Sequence, residues 1–317
     1  MAREEHSELV IASDTPGWSY GALVLAVTAQ GGLRAETAFS LKLCAPGRPA
    51  VNRAEVLLGA SARARKAVSG LAGTERAGGD YGTGAGGDTS HAVDIAAERA
   101  VLDYLRERSF GCTVLGEECG RVVIPGEPGG NVVMDAVDGS VNAVRGIPFY
   151  CCSLAYAEGD TLSSVTDAVI EDMGGTDRFW ASRGRGAIAN GEPMRAGAAH
   201  GPEYRVIVVN VSGISAEGAA RVQPVMEASH TRHFGANALE MAHVARGWLD
   251  ALVDVRARIR VQDIAAGCLL VREAGGAVVD DKLGELDSDL SYEARLSFVA
   301  AANRTVLAEI AGKMGIA

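Results

Sequence analysis

Aromatic residues are scarce in this chain of 317 residues, at 5% of the sequence, although hydrophobic residues make up 48% of it. A core with so few rings must consist mainly of alanine, valine, leucine and isoleucine side chains. This composition favours layers of helices and sheets over an aromatic-rich β-sandwich. The length allows one large domain or two of ordinary size.

Positive charge is also in deficit, since the formal net charge is −10 at pH 7. Such an acidic chain is a poor general partner for nucleic acid or for an anionic membrane surface. The sequence also lacks an apolar run near the roughly 20 residues that cross a bilayer. We therefore expect no nucleic-acid partner and no membrane partner. The charge is compatible with a site that collects cations.

Cysteine pairs with metal-binding or redox spacing are absent. The six cysteines form no Cys-x-x-Cys motif, and the adjacent Cys151 and Cys152 have poor geometry for a mutual disulfide. We interpret the cysteines as reduced, buried thiols. The first residues are acidic and do not resemble the basic start of a secretory signal peptide. Together these features predict a cytoplasmic protein.

A short apolar run, Val132 to Met134, leads into two acids, Asp135 and Asp138. The run predicts the end of a buried strand, Gly139 permits a sharp turn, and Ser140 can cap a following helix. Carboxylate oxygens suit a hard divalent cation, and a helix N-terminus suits phosphate. The pattern indicates phosphoryl transfer or phosphate hydrolysis, although an ordinary Asp-Gly turn with solvated acids has the same spacing.

Other acids also lie where predicted elements begin or end. Asp94 is near the start of a predicted helix, with Glu98 one turn further on; Glu117 follows a short strand, and Asp263 opens a helix. Each has an ordinary explanation as a cap, a turn residue or an exposed helix acid. Their joint pattern favours a shared cation site.

Four motifs, in this order, resemble those of the inositol monophosphatase family, the lithium-sensitive, magnesium-dependent phosphatases of sugars and polyols. They are Asp94-Ile-Ala-Ala-Glu98, Gly116-Glu117-Glu118, Asp135-Ala-Val-Asp-Gly-Ser140 and Gln262-Asp-Ile-Ala-Ala-Gly267. The resemblance covers roughly residues 53–317. The runs 142–148 and 254–260 are most similar to the archaeal-type branch, which includes enzymes for inositol phosphates and fructose 1,6-bisphosphate.

The resemblance implies a set of metal ligands. They would be Glu117, Asp135, the carbonyl group of Val137, Asp138 and Asp263. These groups would hold two or three Mg²⁺ ions per site, and Mn²⁺ could substitute. Paired ions of this kind clamp the attacking and leaving oxygens of an in-line displacement.

The resemblance also implies catalytic and binding roles. Asp94, Glu117 and Ser140 would order and activate the attacking water, and the backbone N–H groups of Gly139 and Ser140 would bind phosphate. Asp254 matches an acid that binds substrate hydroxyls in the family.

A run of arginines at 256, 258 and 260 has two interpretations. It could recognise a second phosphate of a bisphosphate substrate, or it could form a solvated strand face with structural ion pairs. We name Arg256 as a candidate substrate-binding residue.

Three positions depart from the family pattern. Ala136 replaces a proline, Ser140 replaces a threonine, and Gln262 replaces a tryptophan beside the ligand acid. These changes leave the ligand set intact, so the expected reaction is kept. They leave the identity of the substrate open.

The family fold implied by the resemblance is an α+β, layered α/β/α/β/α sandwich. We expect a strand-rich amino-terminal extension over residues 1–52 and an α+β half over 53–202 that carries most metal ligands. An α/β half over 203–317 would complete the metal and substrate site. Homodimerisation is common in the family and is therefore expected.

The leading hypothesis is a magnesium-dependent phosphomonoesterase that hydrolyses a small sugar, polyol or related metabolite phosphate by attack of metal-activated water. A first alternative is a nucleotide phosphatase acting on 3′-phosphoadenosine 5′-phosphate or NADP. A second is a catalytically idle binding protein on the same fold. A base-stacking surface beside the pocket would favour the nucleotide phosphatase.

Overall fold

The computed structural model of the protein describes residues 52–79, 82, 84–85, 90–197 and 201–316. The segment Ala50–Ala317 forms one compact unit. The predicted amino-terminal extension, residues 1–52, lies outside the described residues except for Asn52.

Helices and strands alternate irregularly along the described chain. The helices are α1 Arg53–Val68, α2 Ala92–Glu107, α3 Ser140–Arg145, α4 Ala216–Glu227, α5 Asn237–Arg246, α6 Val261–Glu273 and α7 Arg304–Lys313. The strands are β1 Gly111–Gly116, β2 Gly120–Ile124, β3 Pro128–Asp138, β4 Cys151–Ala157, β5 Val165–Asp172, β6 Arg178–Ser182, β7 Ala187–Ala189, β8 Glu192–Met194, β9 Val206–Val209, β10 His230–Arg232, β11 Ala251–Ile259, β12 Ala277–Asp280 and β13 Leu296–Ala301.

The strands form two sheets. The larger has the order β2-β1-β3-β4-β5-β6-β7-β8, in which β1 and β3 are parallel and the other neighbours are antiparallel. The smaller has the order β10-β9-β11-β13-β12, in which β10, β9 and β11 are parallel.

Apolar stripes on the helices hold these sheets in layers. On α2, Val93, Ala97, Val101 and Leu105 recur every four residues and are fully buried, so they form one continuous face against α1 and the larger sheet. Strand β4 is buried along its whole length, because helices cover both faces of its sheet.

Three apolar cores lie between the layers. One joins α1 and α2 to the larger sheet, a second joins both sheets to α5 and α6, and a third joins the smaller sheet to α4 and α7. The order of layers is therefore helices, sheet, helices, sheet, helices, as the predicted α/β/α/β/α sandwich requires.

Two further expectations can be compared with the described residues. Their five cysteines are free thiols, four of them buried and Cys119 half-buried, in agreement with the sequence. Among the helices of the described ranges, none is long and apolar enough to cross a bilayer.

Candidate active site

Glu117 and Asp135 come from neighbouring parallel strands. Gly116, the last residue of β1, pairs with Met134 of β3. Glu117 and Asp135 each follow one residue later, so the parallel register brings both acids to the same edge of the sheet.

An irregularity in β3 brings Asp138 to the same site. Asp135 pairs with Ser153 and Asp138 with Cys151, and the register shifts between these two pairs. In a regular strand, side chains three residues apart point to opposite faces, whereas an extra residue in a bulge restores them to one face. The two carboxylates interact electrostatically, so the shift unites acids that ideal pleating would separate.

Gly139 makes the turn that follows Asp138. Its φ is 88°, a left-handed conformation that side chains with a Cβ rarely adopt. A Cβ there would lie 3.1 Å from both the Ala236 Cβ and the Phe149 carbonyl oxygen. The φ angle favours glycine, and the close approach adds to that preference. Helix α3 begins at the next residue, so a helix follows the turn as predicted, but its N-cap is Gly139 and not the expected Ser140.

Ser140 and Asp94 meet as expected. The Ser140 Oγ lies 2.5 Å from Asp94 Oδ1 and 2.8 Å from the Val137 carbonyl oxygen. Since a hydroxyl has one hydrogen, it donates to one of these acceptors at a time. The other carboxylate oxygen of Asp94 accepts the His91 N–H at 2.9 Å, which fixes the orientation of the acid.

Glu98, the other acid of the α2 pair, binds backbone N–H groups. It accepts the backbone N–H groups of Glu118 at 2.9 Å and Cys119 at 2.7 Å. A Cβ on Gly116 would lie 2.6 Å from Glu98 Oε1, so glycine is needed for this packing. Glu98 therefore holds the turn that carries Glu117.

The N-terminus of α5 contributes residues that the sequence analysis missed. The Ala238 N–H donates to Asp138 Oδ2 at 2.6 Å. Glu240 is fully buried, and its Oε1 accepts the N–H groups of Phe234 at 2.8 Å and Gly235 at 3.0 Å. Glu240 is the only acid of α5 and lies between the apolar residues Leu239 and Met241, a signal that could have identified it.

The N-terminus of α6 brings Asp263 and Arg260 into the same cluster. The Arg260 N–H donates to Asp263 Oδ2 at 3.0 Å, and its Nε lies 3.6 Å from Asp263 Oδ1. The other end of the guanidinium contacts Glu117. Arg260 thus lies between two predicted metal ligands. Arg260 therefore shows the structural ion pairs of the second interpretation, although its side chain is largely buried and not solvated. Its part in a second-phosphate site stays a prediction.

Like charges raise the pKa values of the central acids. Burial, and then repulsion by Glu117, Asp138 and Asp263, hold the pKa of Asp135 well above its ordinary value, while Arg260 lowers it. Burial and Asp263 likewise raise the pKa of Asp138. Because the ionised forms repel one another, a bound cation would stabilise them.

The donor chemistry of this cluster fits a hard divalent ion, since its members are carboxylates with a backbone carbonyl beside them. Within the described ranges, no three His, Cys, Asp or Glu side chains are placed to enclose one ion as they stand. The Arg260 guanidinium occupies the space between Glu117 and Asp263. The ligand assignments therefore stay predictions.

The predicted substrate residues, Asp254 and Arg256, bind each other. Asp254 is fully buried and accepts the backbone N–H of Arg256 at 2.9 Å, its Nε at 3.0 Å and its Nη2 at 2.6 Å. Asn210 Nδ2 adds a fourth hydrogen bond at 2.9 Å. Asn210 and Asp254 follow the paired residues Val209 and Val253 of parallel strands, where α/β sheets commonly bind ligands.

Comparison with known proteins places this geometry in a family. The inositol monophosphatase family matches residues 51–314. A fructose-1,6-bisphosphatase/inositol-1-monophosphatase of Methanothermobacter thermautotrophicus is 35% identical over 247 residues, which cover 75% of this chain and 88% of that protein. A bifunctional NADP phosphatase/NAD kinase of Methanococcus maripaludis is 27% identical, over 77% of this chain and 46% of that protein.

A solved structure agrees with the sequence matches. It is a hypothetical protein from Pyrococcus horikoshii with similarities to inositol-1 monophosphatase, at 27% identity and a TM-score of 0.70. The match covers 82% of this chain and 96% of that one. The predicted fold class is thereby confirmed. The chain belongs to the inositol monophosphatase family and is a phosphoric monoester hydrolase of the inositol monophosphatase/fructose bisphosphatase type.

Proposed function

We propose that this protein is a magnesium-dependent phosphomonoesterase of small sugar or polyol phosphates. The observation that carries the proposal is that the Arg260 guanidinium contacts Glu117 and lies 3.6 Å from Asp263 Oδ1. Asp135 and Asp138, at the end of β3, interact electrostatically with Asp263 of α6. When bound, divalent ions would polarise the phosphate ester and lower the pKa of the attacking water.

The residues of this cluster would contribute two kinds of oxygen ligand to the ions. The carboxylates of Glu117, Asp135, Asp138 and Asp263 would provide charged oxygens, and the Val137 carbonyl a neutral one. The Ala238 N–H on Asp138 Oδ2 would keep that oxygen fixed and leave Oδ1 for the ion. Mg²⁺ and Mn²⁺ both accept such oxygen donors.

Ser140 and Asp94 would position the attacking water. Their 2.5 Å contact fixes the hydroxyl of Ser140 at the end of β3, next to the acids. The lone pairs of that hydroxyl can accept a hydrogen bond from water while its hydrogen is donated to Asp94. Glu117, on the facing turn, would accept the second hydrogen of the same water.

The turn at Gly139 and Ser140 would bind the phosphate group. The two successive backbone N–H groups are those of Gly139, which is left-handed, and of Ser140; N–H groups in such a turn form a concave donor surface suited to anions. The turn directly follows Asp138, so the phosphate would lie beside the acid cluster. The attacking water and the phosphorus atom would then be held in one place.

Arg256 would face the rest of the substrate. Its guanidinium is oriented by the buried Asp254 and by the Ser212 carbonyl oxygen at 2.9 Å. Because Asp254 already accepts four hydrogen bonds, it would contribute to substrate binding by orienting Arg256. A guanidinium held in this way suits a hydroxyl-rich or anionic substrate group.

Phosphate release from a panel of sugar, inositol and nucleotide phosphates tests the proposal. We expect release from a sugar or inositol phosphate that needs Mg²⁺ and is inhibited by EDTA and lithium. Asp138→Asn should abolish it, whereas Asp103→Asn, a change on the exposed face of α2, should not. Near-full activity of Asp138→Asn at saturating Mg²⁺ would contradict the mechanism.

A second candidate function is a phosphatase of NADP or of 3′-phosphoadenosine 5′-phosphate; the similarity to the Methanococcus maripaludis protein favours NADP. NADP and 3′-phosphoadenosine 5′-phosphate in the same panel separate the two. A thermal shift with Mg²⁺ and phosphate but no turnover on any ester would instead indicate a binding protein.

We also propose the predicted division of the chain, the homodimer and the cytoplasmic location. The strands of the larger sheet all lie between residues 111 and 194, and those of the smaller sheet between 206 and 301. This supports halves over 53–202 and 203–317. Light scattering coupled to size-exclusion chromatography would test the dimer, and cell fractionation the location.

A further inference from the structure

Arg260 is an internal cation of the acid cluster. Its guanidinium contacts Glu117 and lies 3.6 Å from Asp263 Oδ1, and it interacts with Asp135. Its side chain is 14% exposed. One charged group thus contacts or interacts with three of the residues that we propose as metal ligands.

The position of Arg260 in the fold is unusual for an arginine. It is the N-cap residue of α6, immediately after β11. Helix N-termini carry a partial positive charge, and their N-caps are normally Ser, Thr, Asp or Asn. A cation there is unfavourable for the helix itself, so the neighbouring carboxylates must compensate for it.

The neighbouring arginines show that this contact is specific to one residue. Arg256 is engaged with Asp254, and Arg258 is exposed to solvent. The three residues are spaced two apart, with Arg256 and Arg258 in β11 and Arg260 just after it, yet they have three different environments. A solvated basic stripe would have left all three exposed.

We propose that Arg260 is the resident counter-ion of the metal-free cluster and that its guanidinium leaves Glu117 and Asp263 when divalent metal binds. This inference rests on the metal site of the proposed function. The guanidinium and an ion compete for the same carboxylate oxygens, so each lowers the apparent affinity of the other. Arg260 would therefore set the metal affinity of the enzyme.

Mn²⁺ binding to EDTA-treated, dialysed protein tests this competition by titration calorimetry. Arg260→Gln removes the charge, and we expect it to bind Mn²⁺ roughly tenfold more tightly than the wild type. Arg260→Lys keeps the positive charge but lacks the planar guanidinium, so its Mn²⁺ affinity should lie between those of the wild type and Arg260→Gln. Arg258→Gln is the matched control, two residues away and exposed, and its Mn²⁺ affinity should be unchanged.

Thermal unfolding provides a second readout that does not depend on activity. Without metal, Arg260→Gln should melt below the wild type, because the carboxylates lose their counter-ion. Added Mn²⁺ should raise its Tm by more than that of the wild type. If Arg260→Gln does not fold without metal, both the variant and the wild type are purified in Mn²⁺, and their rates of Mn²⁺ release to EDTA are compared. We expect slower release from the variant.

The outcomes separate the two proposals. If the wild type binds Mn²⁺ clearly and Arg260→Gln binds it equally or more weakly, or releases it equally fast or faster, this inference alone is overturned. Arg260 would then hold the ligands in place. Absence of Mn²⁺ binding by the wild type would overturn the proposed metal site, and this inference with it.

Discussion

Two buried acidic sites in this protein have opposite charge arrangements. Glu171 is fully buried, and two arginines bind it: Arg178 through Nε at 2.5 Å and Arg65 through Nη1 at 3.2 Å. In the acid cluster the ratio is reversed, since Glu117 and Asp263 share the guanidinium of Arg260, which also interacts electrostatically with Asp135. Cations outnumber the acid at the first site, and acids outnumber the cation at the second.

The difference separates a structural site from a functional one. The Glu171 site joins α1 to β5 and β6, because its partners come from these elements, and it gains stability from complete hydrogen bonding. The acids of the cluster repel one another, and in the proposed function they would bind a further cation, which is a property of functional sites. A buried acid by itself does not make this distinction, whereas its local charge balance does.

Removing one acid from the cluster should produce the largest effect. Asp135→Asn keeps the side-chain volume but relieves repulsion, so we expect phosphatase activity to fall about a thousandfold while the Tm of the metal-free protein rises. Steady-state phosphate release and thermal unfolding in EDTA measure the two quantities. A lower Tm of the metal-free variant would contradict the expected repulsion and show that the Asp135 carboxylate stabilises the fold, as that of Glu171 does.

The serines at the two sites sharpen the comparison. Ser140 contacts Asp94 at 2.5 Å, and Ser61 contacts Glu171 at 3.3 Å. We expect Ser140→Ala to lower kcat by about ten- to a hundredfold with little change in KM, because it removes an orienting group. Ser140→Thr should retain the activity. Ser61→Ala, the matched control, should leave kcat unchanged, and an equal loss in both alanine variants would refute the distinction.

Breaking the structural site should affect stability alone. Glu171→Gln leaves Arg65 and Arg178 without their charged acceptor, and we expect the free energy of unfolding to fall by about 2 kcal/mol. Urea unfolding followed by circular dichroism measures this change. The Mn²⁺ affinity and the kcat of the remaining folded protein should equal those of the wild type, and a changed affinity would mean that the two sites are coupled.

The smallest expected effect is the dependence of metal-free stability on pH. The folded-state pKa values of Asp135 and Asp138 are raised by burial and repulsion. Their contribution to stability is therefore complete below the ordinary aspartate pKa of about 4 and is lost as pH rises through the folded-state values. The Tm in EDTA should fall more steeply with rising pH for the wild type than for Asp135→Asn, and equal slopes would contradict this.

Much of the site could be predicted because its signals are local in the sequence. Gly139 between an acid and a serine predicts a turn, and the turn has the expected left-handed φ. The contact of Ser140 with Asp94 followed from motif matching, and the structure confirms it. The layered fold followed from the same motifs, since the family determines the order of the layers.

Other features depend on neighbours that lie far away in the sequence. The α6 helix begins at Val261, two residues before the expected Asp263, because its N-cap is an arginine, which is not a typical start signal. The contact of Arg260 with Glu117 requires the ends of β1 and β11 to meet. The sequence does not predict helix α4, because Pro224 lies within it. Burial of its apolar face offsets the cost of a proline inside a helix.

The buried environment of α6 also has a consequence for the choice among ions. Every residue from Val261 to Val271 is buried, so Asp263 lies in the first turn of a helix that is packed on all sides. Glu117, by contrast, lies on a short turn that Glu98 holds by two hydrogen bonds. If both acids bind the same ion, discrimination between a smaller and a larger ion would depend on how far the backbone of the Glu117 turn can move. The position of Asp263 would stay the same.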